Sequence, residues 1–326
     1  MKVFVAGAAG ALGSHVVRRL SRDGHEVVGF TRTPAHAEIV TQSGGAQAII
    51  GDALDPFSVR SALEKTKPEA VIHALTAIPK RGPWRASDLK PTNELRRRGT
   101  RNVLDAAIAV ATRRIVVESM VFIYGYGDLG AGWLNEETCP ARSVQQTWLR
   151  PSIDALVDEE SQVLGATRDG KIQGVVLRFG GFYGPNAGTE IMTRLVRRRW
   201  LPVATNAANS AIPLIHIEDA GSAVVAALYR GRSGEVYNIV DDEPARFADV
   251  VRYLASTMGA PPPRTVPRWF VQLVTPFAVA AMLDTRLRVS NAKAKQELQW
   301  TTRFPNYRAG IAEFWRTFKD SKNTFP

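Results

Sequence analysis

Gly7, Gly10 and Gly13 stand in the run Gly7-Ala8-Ala9-Gly10-Ala11-Leu12-Gly13, after an apolar segment (residues 2–6) and before a helix-like one (residues 12–22). This spacing suits the holding of a pyrophosphate. The first glycine permits a tight turn, the second lets backbone approach a phosphate, and the third lets helix and strand pack closely. The helix start at Ala11 and Leu12 then offers free N–H groups and the positive end of its dipole. With a strand before, a helix after and a second strand at residues 26–30, the run reads as a dinucleotide site.

The second strand ends in Phe30-Thr31-Arg32-Thr33. A carboxylate here would bond a ribose 2′-hydroxyl and repel a 2′-phosphate, whereas a guanidinium binds a phosphate through two N–H groups. Thr31 followed by Arg32 therefore predicts NADP(H) rather than NAD(H).

Other residue types limit the chemistry. Cys139 is the only cysteine, so no intramolecular disulfide forms, and the five histidines are scattered; no metal is expected. The net charge of +11 is spread along the chain, densest at Arg96-Arg97-Arg98 and Arg197-Arg198-Arg199 in helix-like stretches. Such runs usually form solvated faces, so no nucleic-acid partner is expected. Residues 1–20 lack the hydrophobic core of a secretory signal, and residues 269–283 are too short for a membrane span and contain Gln272 and Pro276. The expectation is a cytoplasmic protein with no membrane partner, either monomer or homodimer, acting on a small hydrophobic molecule.

The elements that must position these groups alternate. Strands are expected at 46–51, 70–75 and 115–118, with helices at 56–65 and 99–111, and later strands at 175–179 and 236–240. Such alternation predicts an α/β fold, a Rossmann-type doubly wound parallel sheet with a smaller, mainly helical substrate lobe. The dinucleotide domain would comprise residues 1–185 and 211–240, and the lobe 186–210 and 241–326.

Further motifs carry a resemblance. Gly51-Asp52-x-x-Asp55, Val71-Ile72-His73-Ala74, Gly99-Thr100-Arg101-Asn102-Val103-Leu104, Leu177-Arg178-Phe179 through Phe182-Tyr183-Gly184-Pro185, and Ile215-His216-Ile217-Glu218-Asp219 follow the glycine run. Together they resemble the extended short-chain dehydrogenase/reductase family, which includes nucleotide-sugar epimerases and dehydratases. The resemblance covers nearly the whole chain. It implies adenine contacts at Asp52 and Ala53, ribose contacts along Ala74 to Thr76, and a nicotinamide contact near Phe182.

The chain departs from that family where the proton moves. The family uses a Ser or Thr, a Tyr, and a Lys four residues after that Tyr. None of the seven tyrosines here has a lysine four residues on. The helix that should carry the pair, residues 152–164, has neither residue type. Counting back from Ile123-Tyr124-Gly125, the Ser/Thr position falls on Met120, with Ser119 one place earlier and facing the opposite side of a regular strand. Ser119 is a candidate to bond a substrate carbonyl, unless it is a strand-end serine bonded to backbone; Tyr124 and Tyr126, on the loop after the fifth strand, could also reach the cleft, with Tyr124 packed as in the family as the alternative. Arg96 replaces the family's asparagine before Gly99 and either meets an acidic substrate group or lies on the helix surface. His73, inside an apolar strand, reads as structural.

Hydride transfer needs orientation more than a protein acid. The resulting expectation is an NADPH-dependent ketoreductase acting on an activated aromatic ketone, with the proton supplied by substrate or water. The resemblance extends to atypical ketoreductases of aromatic, angucyclinone-type polyketides. Trp200, Trp269, Phe270, Phe277 and Met282 would line the lobe or form its core. The alternatives are an epimerase or dehydratase with relocated catalytic residues, and a dinucleotide sensor that has lost the chemistry.

Overall fold

The first strand, β1 (Lys2–Ala6), is buried on both faces, with Val3 and Val5 in one apolar cluster and Phe4 and Ala6 in another. That double burial is the signature of a parallel sheet covered by helices on both sides. In the computed structural model, which describes residues 1–45, 47–79, 82–141, 147–205 and 210–323, β1 lies next to the central strand of a seven-stranded sheet. β2 (Glu26–Thr31) and β3 (Gln47–Ile50) extend it on one side; β4 (Ala70–His73), β5 (Arg114–Met120) and β6 (Gln173–Phe179) extend it on the other. Every pairing in it is parallel. The strand order reverses between β1 and β4, the point where a crevice opens beyond the carboxyl ends.

Helix α1 (Ala11–Arg22) forms because Leu12, Val16, Val17 and Leu20 make an apolar stripe that the sheet buries. Arg19 and Arg22 in its last turn complement the dipole, and Gly24, at φ +81°, turns the chain back into β2. α2 (Pro34–Gln42) follows β2, and α3 (Pro56–Thr66) starts on the Asp55 carboxylate, which accepts the Phe57 N–H at 3.1 Å. Beyond β4 a continuous helical segment runs through α4 (Lys90–Glu94), a π turn (Leu95–Gly99) and α5 (Thr100–Ala109). α6 (Arg150–Arg168) then packs on β5 and β6.

After the short β7 (Gly181–Tyr183), the chain leaves the sheet through α7 (Thr189–Arg197) and β8 (Val203–Ala204). It returns through β9 (Leu214–His216), which pairs with β7, then α8 (Ile217–Arg230) and β10 (Val236–Ile239), which completes the sheet beside β6. α9 (Phe247–Thr257), β11 (Thr265–Val266), α10 (Arg268–Val274) and α11 (Pro276–Ala278) follow, then α12 (Ala292–Leu298) and α13 (Tyr307–Asn323). A separate cluster joins Tyr183, Val196, Ile212, Val251 and Tyr307.

Two expectations are adjusted, and two segments lie outside the described residues. The third strand starts at Gln47; its expected first residue, Ala46, lies outside the described residues, as do residues 206–209 of the first excursion. The segment assigned by chain position to the substrate lobe includes Ala294, Leu298 and Trp300, yet these pack into the core of the sheet with α8. Among the lobe aromatics, Phe277 is buried, whereas Trp200, Trp269 and Phe270 are exposed, and α10 contributes no buried residue. No helix among the described residues is long and apolar enough to cross a membrane.

Candidate active site

The glycine run occupies the carboxyl edge at the reversal of strand order. Gly7 sits at φ +85°, and a Cβ there would lie 2.1 Å from the Ala74 carbonyl oxygen. A Cβ on Gly13 would lie 2.1 Å from the Gly7 carbonyl oxygen, so α1 touches the turn only because that carbon is missing. Gly10 differs: its nearest neighbour would be 3.1 Å away, and that is the turn's own carbonyl. Gly10 also caps α1 with no side chain, leaving the Ala11 and Leu12 N–H groups without a protein cap. The glycines at 7 and 13 are dictated by contacts inside the chain. The bare helix start beside Gly10 is a fit for a dinucleotide's phosphates.

The Ala74 N–H donates to the Ala6 carbonyl at 2.9 Å, holding the backbone that leads to exposed Thr76 beside the Gly7 turn. Arg32 is exposed just past β2, while the Thr31 hydroxyl is buried and has no hydrogen-bond partner among the described residues. Asp52 is held by its own loop: its carboxylate accepts the Leu54 N–H at 2.9 Å, and the Ala53 carbonyl accepts from Asn102 at 2.8 Å. Half-buried Phe182 on β7 has its ring 5.4 Å from that of Phe179.

Ser119 occupies no such edge. β5 keeps regular register with β6 through Met120, pairing Ser119 with Arg178, so Ser119 and Met120 face opposite sides. Ser119 is fully buried, and its hydroxyl donates to Glu160 Oε1 at 2.7 Å. Glu160 also accepts two bonds from Arg178, at 2.9 and 2.7 Å. Arg178 in turn donates to the Tyr124 hydroxyl at 2.9 Å, whose own hydrogen is shared between Asn238 Oδ1 and the Asn135 carbonyl. The Ser119 hydroxyl is therefore committed to a closed internal network, which corrects its reading as a donor to substrate. Ser119→Ala should lower folding stability by about 1 kcal/mol and leave the turnover number unchanged. A large fall in turnover with stability intact would restore a role at the substrate.

The face of α6 turned to this region carries Ser152, Leu156 and Glu160, one helical turn apart. Ser152 accepts from Asn93 Nδ2 at 3.3 Å, and Leu156 packs with Val121, Ile123 and Tyr124. Neither a phenol nor an ammonium stands there. The buried tyrosines elsewhere are shifted in the wrong direction for an acid. Burial pushes Tyr126 up to about 12, burial raises Tyr124 despite Arg178, and burial with Asp241 raises Tyr183. Tyr126 stacks on Phe122 at 5.0 Å and meets the edge of Phe277.

Sequence reasoning missed a second buried polar cluster. Arg96, read as a surface or substrate-facing residue, is buried with its Nε 3.4 Å from Glu159 Oε2. Thr100 Oγ1 lies 3.3 Å from Glu159 Oε1 and 3.1 Å from His73 Nε2. Burial, with Arg96 adding to it, lowers His73 to about 4, so His73 is neutral at pH 7 and structural. Burial raises Glu118 to about 7 and Glu159 well above the carboxylate range, both opposed by Arg96. Only the break of the asparagine position to Arg96, followed by three acidic residues on one helix (Asp158, Glu159, Glu160), signalled this in the sequence.

The Glu118 shift carries a pH signature. Below about pH 4.5 the carboxyl is protonated whether folded or unfolded. As pH rises from there to about 7, only the unfolded chain ionises, so stability is progressively lost. Glu118→Gln should remove that loss. Urea midpoints of variant and parent should agree near pH 4.5 and diverge by pH 8, with the variant ahead; parallel curves would contradict the burial of an unionised acid.

The comparisons agree with this architecture. The model of the NAD dependent epimerase/dehydratase family matches residues 3–240. A 3-diazoavenalumate denitrifying reductase of a Streptomyces species is 30% identical over 315 residues, covering 95% of this chain and 99% of that one. The UDP-glucose 4-epimerase of Thermotoga maritima superposes with a TM-score of 0.81 at 19% identity, covering 99% of this chain and 100% of that one. The dTDP-glucose 4,6-dehydratase of Bacillus anthracis, solved in complex with NAD, gives 0.78 at 19% identity, covering 99% and 98%. With its glycine cradle, its strand order and a family match across most of its length, this chain belongs to the NAD dependent epimerase/dehydratase family.

Proposed function

We propose that this protein is an NADPH-dependent ketoreductase that reduces a carbonyl of an aromatic, angucyclinone-type polyketide, such as those of simocyclinone biosynthesis, without a protein phenol as acid. Its family makes it an oxidoreductase that works through a nicotinamide dinucleotide. The finer reading rests above all on one observation: the α6 face that should bear Tyr and Lys bears Ser152 and Leu156, while the cradle for the dinucleotide is kept.

When bound, the reduced dinucleotide supplies the hydride. The chain's own residues do the rest. The Gly10 turn and the start of α1 hold the phosphates, and Arg32 takes the 2′-phosphate. Phe182 and the backbone from Ala74 to Thr76 orient the ring end. Leu156 and half-buried Met120 make the acid position apolar. General acid catalysis contributes about 10²–10⁴-fold, so an activated ketone carrying its own acidic hydroxyl, or a solvent proton, tolerates its loss. An epimerase must first oxidise an unactivated alcohol, which calls for a strong base, and the α6 positions that carry the phenol and ammonium in the family hold Ser152 and Leu156.

A second reading draws on the Streptomyces relative, whose name specifies a diazo compound and a denitrifying reductase. An electrophilic diazo group receiving hydride forms no alkoxide, so it suits the same acid-poor cleft. The deciding experiment incubates the protein with NADPH and a panel of hydroxylated polycyclic ketones and aryl diazo compounds, following loss of the reduced cofactor and identifying the product. Alcohol formed in step with NADPH loss supports the ketoreductase. Turnover restricted to diazo compounds selects the second reading, and cofactor binding without turnover across the panel makes the protein a sensor.

A further inference from the structure

Of the large apolar side chains left to solvent, four stand on one helix. In α10, Trp269, Phe270, Leu273 and Val274 are 65%, 47%, 75% and 49% exposed, and no residue of the helix is buried. At about 100° per residue these four share one arc of about 140°. Half-buried Val271 lies across the helix from them and packs with Ala204, Val279 and Leu283. Arg268 and Gln272 fill the remaining arc. The helix thus rests on the fold through Val271 and turns its apolar stripe outward. A contiguous stripe of this kind marks a place of contact.

The charge around the stripe narrows what it meets. Residues 191–217 and 250–283 hold seven arginines and no carboxylate. Arg268 pairs with Asp284 and Arg252 with Asp249, both just outside those stretches. Arg194, Arg197, Arg198, Arg199 and Arg264 have no carboxylate partner among the described residues. The two stretches meet where β8 pairs with β11. The Val203 N–H donates to the Arg264 carbonyl at 2.9 Å, and α10 starts two residues after β11 ends. Exposed Trp200 stands just before β8, with the Arg198 guanidinium 5.3 Å from the centre of its ring.

A second copy of this chain would set like charges against each other here. An anionic bilayer meets both demands, with acyl chains for Trp269, Phe270 and Leu273 and phosphates for the arginines. Such a surface is extended, so each arginine need only come within the screening length of about 8–10 Å. Leu273 stands clear of its surroundings on a ridge, a shape suited to a fluid surface. The expectation of no membrane partner came from length, since residues 269–283 are too short to span. Lying along the surface needs no such length.

We propose that α10, with the arginine-rich surface around β8 and β11, is a peripheral docking face for an anionic phospholipid bilayer. The face is independent of the reductase reading. The test floats the full chain with vesicles of phosphatidylcholine alone and of phosphatidylcholine mixed with phosphatidylglycerol. Partition should be about 10-fold or more greater on the anionic vesicles and should fall as salt is raised. Leu273→Gln, which changes no charge, should lower it about 3–10-fold, and Arg264→Gln about 5-fold. Phe57→Gln on α3, at an 82% exposed site, and Arg22→Gln at the end of α1 should leave it nearly unchanged. All four sites are exposed, so urea midpoints should match that of the parent.

Equal partition on the two vesicle types, or none on either, overturns the proposal. So does a Leu273→Gln variant that binds as the parent does. A loss from Arg22→Gln as large as that from Arg264→Gln would mean general attraction of a basic protein and would also overturn it. Retention on immobilised polyglutamate without vesicle binding would give the face to an acidic protein and end the membrane assignment.

Discussion

Arg178→Ala should destabilise the folded protein by about 3–5 kcal/mol. The guanidinium fork holds Glu160 through two bonds, and both side chains are about 6% exposed, so solvent cannot compensate the stranded carboxylate. The Tyr124 hydroxyl loses a donor in the same stroke. Glu160→Ala should do comparable damage by leaving the cation alone and Ser119 without an acceptor. Because the three side chains act as one network, the double variant should lose less than the sum of the two single variants. Urea unfolding measures all of these. A loss under about 1 kcal/mol, the scale of an exposed pair, would mean that water reaches the network. Arg178→Lys should recover only part of the loss, since an ammonium lacks the fork.

Arg32→Ala should weaken NADPH binding about 10–100-fold, the equivalent of about 1.5–3 kcal/mol for bonds to a charged group, and leave NADH binding nearly unchanged. The side chain is exposed at the end of β2, where Thr31 stands in place of a carboxylate. Thr31 carries no charge to repel a 2′-phosphate, and an exposed guanidinium such as that of Arg32 can bind one. Isothermal titration with both cofactors separates the effects. Equal losses for the two would remove the 2′-phosphate assignment and make Arg32 a general phosphate contact.

The sheet was legible in the sequence because its strands are short apolar runs, and burial on both faces leaves little choice of residue. The cradle was legible for a related reason: Gly7 and Gly13 answer to close contacts inside the chain, so their spacing is a record of geometry. The proton-transfer side was legible only as an absence. That Ser119 faces inward followed from strand parity, but its commitment to Glu160 depends on α6, which is distant in sequence. Arg96 was ambiguous because a helical arginine has the same local signature whether it faces solvent or an interior of histidine and glutamate. Likewise Trp200, Trp269 and Phe270 read equally well as core or lining, and the structure exposes all three, since tertiary packing rather than residue type sets their fate.

The π turn between α4 and α5 holds one residue more than an α-helical turn would. Register along this helical segment is thus set by chain length as well as by side-chain identity. Deleting a single residue from 95–99 would let the segment relax to uniform α-helix and swing its amino-terminal part by about 100° about the axis, carrying Asn93 away from its partner Ser152 on α6. A lineage of such proteins could therefore gain or lose this pairing through one codon inserted or removed, with every strand of the sheet left as it was.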